Sequence, residues 1–156
     1  MKKKAFFLSL AVTIILLFVS CGLSSKQKTS AEESMKSLRK LAAAVQVGVN
    51  YIQYSSFIID AQALVNDSLT VLPEGELKKE INASMEAYVD ARKVWSCKID
   101  PYNSYPETLI SKYSLKKTGV DAMFLQEKDK IVSNDKAISI IWGIALIHLN
   151  KAESLL

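Results

Sequence analysis

From Ser30 to Leu72 the sequence contains no proline and a single glycine, Gly48. A stretch that long without a breaker, filled with residues that repeat every three or four positions, has one economical solution, the α-helix. One apolar register runs Leu38, Leu41, Val45, Val49 and Ile52. A second runs Val47, Tyr51, Tyr54, Ile58, Ala61, Val65, Leu69 and Leu72. Together they predict one long helix with a wide apolar face. Its start is placed at Ser30, because Ser30-Ala31-Glu32-Glu33 has the spacing of a capping box.

Pro73-Glu74-Gly75 interrupts the pattern, and Glu76 restarts it. Leu77, Ile81, Met85, Tyr88 and Trp95 share one face of a second helix ending near Cys97. So short a break folds the two helices into an antiparallel hairpin. Residues 99–134 are less regular. Asp100 to Pro106 is turn chemistry, with short helical turns expected over 106–113 and 120–130. Ser133-Asn134-Asp135 offers capping oxygens for a last helix reaching Ser154. The middle of that helix, Ile138 to Leu149, is apolar almost all round but too short for a bilayer, which needs about 20 residues. It is expected to be the most buried helix, with Gly143 admitting a close neighbour, Gly48 being one candidate. No internal repeat and no alternating strand pattern competes. The fold class read from the sequence is all-α: a helical bundle with a long first helix, a helix hairpin and a buried C-terminal helix.

Residues 1–20 carry a separate signal. Lys2, Lys3 and Lys4 precede a largely apolar run that closes on Leu17-Phe18-Val19-Ser20-Cys21-Gly22. Charge followed by a short apolar segment is the pattern of a secretory leader. The segment 17–22 resembles the lipobox of bacterial lipoproteins, with a small residue, Ser20, directly before the cysteine. Phe18 stands where that family prefers leucine. The resemblance covers the leader and the first residues after it. It implies removal of residues 1–20 and acylation of Cys21, which would anchor the chain to a membrane of the cell envelope. Gly22 is not the aspartate that retains such proteins at the inner membrane, so a Gram-negative source would imply the outer membrane, periplasmic face. Residues 21–29 then read as a flexible tether and 30–156 as one helical-bundle domain.

The leader also accounts for most of the chain's charge. The formal +4 sets 20 Lys and Arg against 16 Asp and Glu. Without Lys2, Lys3 and Lys4 the comparison is 17 against 16, or +1. A nearly neutral body has no electrostatic footprint for nucleic acid, and none is expected as a partner.

Motifs for chemistry are missing: no glycine-rich phosphate loop, no G-x-S-x-G, no H-E-x-x-H and no C-x-x-C. With one histidine and two cysteines, no multi-histidine metal site can form. No cofactor is expected. Cys97 with His148 is the one pair that could make a thiol nucleophile, and Met35 with His148 the one that could clasp a haem between first and last helices. In both cases ordinary packing explains the residues as well. Most acids, including Glu74, Glu76 and Glu80, are expected at helix starts or on polar faces. Asp60 alone lies among apolar residues of the first helix, and Arg92 is its counterpart on the second. They read as an ion pair across the hairpin or as polar ligand contacts. Tyr102, Tyr105 and Tyr113 fall in or near the long connection, where they could anchor a partner or cap the bundle. The reading that joins these features is a non-enzymatic envelope lipoprotein that binds or scaffolds another envelope component. A lipid-anchored carrier of a small ligand or cofactor, and an acid-based enzyme, remain as alternatives.

Overall fold

The chain adopts an all-α bundle. A computed structural model describes residues 22–100, 106–116 and 131–156. Its helices are α1 Ser25–Val47, α2 Tyr51–Val71, α3 Glu76–Ile99, α4 Glu107–Lys112 and α5 Asn134–Ser154. No strand occurs among the described residues; Lys116 and Ile131 form an isolated antiparallel bridge.

The long first helix expected from Ser30 to Leu72 is two helices. Val47 hands over to Gly48, whose φ of 105° places it in a region that L side chains rarely adopt. Asn50 then caps α2: its side chain accepts from the Gln53 amide while the Gln53 side chain accepts from the Asn50 N–H. The start also differs from the expectation. Ser24 and Gln27 form the same reciprocal box, so α1 begins at Ser25 and most of the segment expected to be a tether is helical. The Gln27 amide further donates to the Val71 carbonyl at 3.0 Å, closing the start of α1 onto the end of α2.

Each long helix runs antiparallel to the next. The end of α2 connects through Leu72–Gly75 to α3, and Tyr51 and Tyr54 near the start of α2 meet Trp95 near the end of α3. Lys151 near the end of α5 bonds Glu76 and Glu80 near the start of α3, while Lys98 meets Asp135 at the other end. Arg39 of α1 closes the ring, donating to Asn150 at 2.9 Å and to Glu153. Leu38, Leu41, Tyr54, Ile58, Val65, Ile81, Tyr88, Val94, Ile141 and Leu149 are fully buried between these helices.

The most enclosed element is α3, which buries nine residues against six for α5. The expectation that the last helix is central is therefore corrected. α5 packs along α3 and also meets α1, which leaves an outward face where Ile147 is 65 % exposed. Gly143 admits no close neighbour either: a Cβ built there would meet nothing within 4 Å.

α4 lies within the short turn expected over 106–113. It ends with Ser114 at φ 52°, the Leu115 N–H reaching the Ile110 carbonyl at 2.9 Å. This is a Schellman termination, normally built on glycine, and Leu115 seals it from inside the core. Serine carries a Cβ penalty in that conformation, which outweighs the backbone entropy glycine would lose. Ser114→Gly is expected to raise stability by about 0.5 kcal/mol, read as a higher urea midpoint at unchanged slope. The helical turn expected over 120–130 lies outside the described residues.

Candidate functional site

Of the residues singled out from sequence, Cys21, Tyr102 and Tyr105 lie outside the described residues. The others are placed, and the structure separates two pairs. Asp60 and Arg92 make no ion pair. Asp60 is exposed and lines a groove of about 600 Å³ between α1 and α2, whereas Arg92 lies on α3 where its charge acts on Tyr54. Cys97 and His148 are also apart. His148 sits beside Glu80, and Cys97 lies about 25 Å further along the α3 axis at 1.5 Å per residue. The Cys97 thiol bonds the Lys93 carbonyl. Met35 is a core residue of α1, and neither it nor His148 lines any of the grooves described here.

Tyr113 is 7 % exposed, so it packs into the core rather than presenting its ring to a partner. Its hydroxyl donates to Asp90 Oδ2 at 2.9 Å, an acid that sequence reasoning passed over. Asp90 is itself buried on α3 and also accepts from Lys112 at 2.8 Å and Lys93 at 2.8 Å. Burial pushes the Asp90 pKa up, but the bonds from Lys112, Lys93 and Tyr113 outweigh it and hold the carboxyl below its usual range. Burial and the facing Asp90 push the Tyr113 phenol up to about 12. This cluster ties α4 and the following turn along the middle of α3.

A second cluster joins α3 to α5. Glu80, expected on a polar face, is only 7 % exposed. It lies 2.6 Å from His148 Nδ1 and accepts from Lys151 at 2.7 Å, while Lys151 also bonds Glu76. Burial raises the Glu80 pKa, yet the hydrogen bonds from Lys151 and His148 outweigh burial and depress it below 4.5. A depressed carboxyl stabilises the fold above its unfolded pKa, and that contribution disappears as pH falls through the folded value. Glu80→Gln should therefore flatten the acid limb of the stability profile. Its urea midpoint should fall less than the native one between about pH 5 and pH 3, with Asp90 among the groups that supply the slope that remains.

An aromatic ladder crosses the bundle towards the end where α2 starts. Trp142 Nε1 donates to the Tyr54 hydroxyl at 2.9 Å, which donates to the Tyr88 carbonyl at 2.8 Å. The rings of Tyr51, Tyr54, Trp95 and Trp142 stand 5.4 to 5.9 Å apart. Below Trp142 a cleft of about 170 Å³ opens between α1 and α5, lined by Val45, Gln46, Tyr88 and Gly143. Among the described residues the fully buried Tyr88 hydroxyl has no hydrogen-bond partner, and burial pushes its pKa up to about 12.

The α1–α2 groove is larger than the α1–α5 cleft. Leu41, Phe57 and Leu64 form its apolar part, with Lys36, Lys40 and Asp60 around them. Lys40 Nζ stands 5.5 Å from the Phe57 ring centre, a cation–π distance. Such a lining can take an apolar side chain flanked by charges of both signs. Among the described residues no group of three His, Cys, Asp or Glu could hold a metal ion.

Compared with known proteins, the chain matches no family model, no curated protein and no solved structure.

Proposed function

We propose that this chain is a lipid-anchored cell-envelope protein that binds or scaffolds another envelope component and performs no chemistry of its own. The observation that carries the reading is the Ser20-Cys21 junction at the end of the apolar leader. In a Gram-negative cell, Gly22 favours the periplasmic face of the outer membrane. No described helix is long and apolar enough to cross a membrane. A non-enzymatic role is supported by the buried acids. A general acid working near neutral pH needs a raised pKa, whereas Glu80 and Asp90 are both held ionised by lysines. The surface offered to a partner is the α1–α2 groove, whose lining suits an amphipathic segment of another envelope protein.

Cys21→Ser should shift the protein from the membrane to the soluble fraction; a membrane pool that keeps its leader would refute the anchor. A photo-reactive phenylalanine analogue at Leu64 should give a discrete adduct in cells that Phe57→Glu abolishes. The same adduct from Ile147, on the outward face of α5, would refute the groove. A carrier reading is favoured by one observation, the unpartnered Tyr88 hydroxyl beside the α1–α5 cleft. It requires a small apolar molecule to copurify with the chain, and Gly143→Trp, which fills the cleft, to exclude it.

A further inference from the structure

The start of α1 fixes how such an anchored body would sit, an inference that rests on the lipid-anchor reading above. α1 begins at Ser25, capped by Ser24. Leu23, two residues after Cys21, is half-buried and packs against the hydrophobic core. A fully extended chain spans at most about 3.5 Å per residue, so the Cys21 backbone stays within about 7 Å of Leu23. Whatever holds Cys21 therefore holds the body by the end where α1 starts, where Gln27 grips Val71. There is no slack for the bundle to turn over.

The acids at that end are engaged with cations, Glu74 with Lys78, Glu76 and Glu80 with Lys151 and Glu153 with Arg39. The first turns of α1 present Lys26 and Lys28, both exposed and in no ion pair among the described residues, and no acid lies in the first turn. Lys26 and Lys28 follow Cys21 by five and seven residues, and their long side chains can reach the roughly 8–10 Å layer over which an anionic surface acts at physiological salt. Each contributes about fivefold in partitioning to such a surface. The opposite end carries Trp95 and Trp142, with Tyr51 against Trp95 some 30 Å along α2 from Val71.

We infer that the α1-start end of the bundle lies against the anionic headgroups of the membrane that holds Cys21, with the tryptophan end pointing away. The anchor's brevity sets the orientation, and Lys26 and Lys28 keep the end seated.

The test uses the processed, acylated chain in vesicles of phosphatidylcholine with one third phosphatidylglycerol, part of the lipid brominated near the top of its acyl chains. Emission from Trp95 and Trp142 should be unchanged by bromination. A tryptophan added by Thr29→Trp should be quenched, and one added by Ile99→Trp should not. Lys26→Glu with Lys28→Glu, or vesicles of phosphatidylcholine alone, should at least halve the Thr29→Trp quenching while the chain remains bound. Acids are favourable in the first turn of a helix, so the charge-reversed variant does not lose α1. Equal quenching at positions 29 and 99 in a bound chain overturns the orientation alone. Quenching unaffected by charge reversal overturns the role of the lysines. A chain that carries no acyl group and does not bind overturns the anchor reading, and this inference with it.

Discussion

An Ile141→Asp chain should fail to reach its folded state at neutral pH. Ile141 is fully buried on α5. Removing it forfeits about 3 kcal/mol of apolar burial, and the new carboxylate enters the hydrophobic core. An unpaired charge in that position costs several kcal/mol more, or the group stays protonated at a similar cost at neutral pH. A domain of this size has roughly 5–15 kcal/mol of stability in total, so the combined loss takes most of it. Far-ultraviolet circular dichroism of the purified variant should show the helical signal collapsed at pH 7 and partly restored near pH 4, where the carboxyl sheds its charge. Ile147→Asp supplies the control from the same helix. Ile147 is 65 % exposed, and a charge there should move the melting temperature by no more than a surface substitution does. Equal damage at both positions would mean that α5 does not face the core as described.

That contrast bears on what the sequence could convey. The run Ile138 to Leu149 looks apolar in every direction, and composition alone cannot say which side meets a neighbour. Packing decides it: α5 lies along α3 and touches α1, which leaves Ile147 outside. The first helix repeats the lesson in another form. Its two apolar registers were the mark of two helices, since Leu38 and Leu41 serve α1, while Tyr54, Ile58, Ala61 and Val65 serve α2. The residues that joined the registers on paper, Val47 and Ile52, are 90 % and 80 % exposed. Ser24, Ser30 and Asn50 all have the spacing of a capping box. The two that cap are followed by glutamine, and Gln27 reaches on to α2. A local pattern could not rank them, because that third contact is tertiary.

The candidate site was legible only in pieces. Asp60 was visible because its neighbours in the chain are apolar, yet it is exposed. Glu80, beside Lys78 and Lys79, and Asp90, flanked by Val89 and Ala91 but just before Arg92 and Lys93, drew no notice, yet both are buried. Burial of an acid depends on what the next helix brings. Lys151 and His148, three residues apart on α5, reach Glu80 because α5 runs antiparallel to α3. Tyr113 and Lys112 reach Asp90 because the end of α4 lies against α3. Both clusters spend their charges on holding helices in register. In the α1–α2 groove Asp60 has no such engagement among the described residues, which is why that groove is the surface proposed for a partner.

Tyr54 is where packing and hydrogen bonding can be separated by experiment. Its ring is fully buried among Trp95 and Trp142, and its hydroxyl links α5 to α3 through Trp142 Nε1 and the Tyr88 carbonyl. Tyr54→Phe keeps the ring and removes the link. The Tyr88 carbonyl keeps its place on a helix, and the half-buried Trp142 can turn its N–H towards water, so the loss should be about 1–2 kcal/mol. Tyr54→Ala removes the ring as well and opens a cavity between three helices, for a total of about 4 kcal/mol. Urea unfolding followed by tryptophan fluorescence reads both, because Trp95 and Trp142 report the same site. Trp142→Phe closes a double-mutant cycle with Tyr54→Phe. A coupling of about 1 kcal/mol is expected if the hydroxyl joins the helices as described, and additive losses would show that only the rings matter. If Tyr54→Phe costs as much as Tyr54→Ala, the hydroxyl is the keystone and the aromatic stack is secondary. If it costs nothing, the four rings hold this end of the bundle by contact area alone.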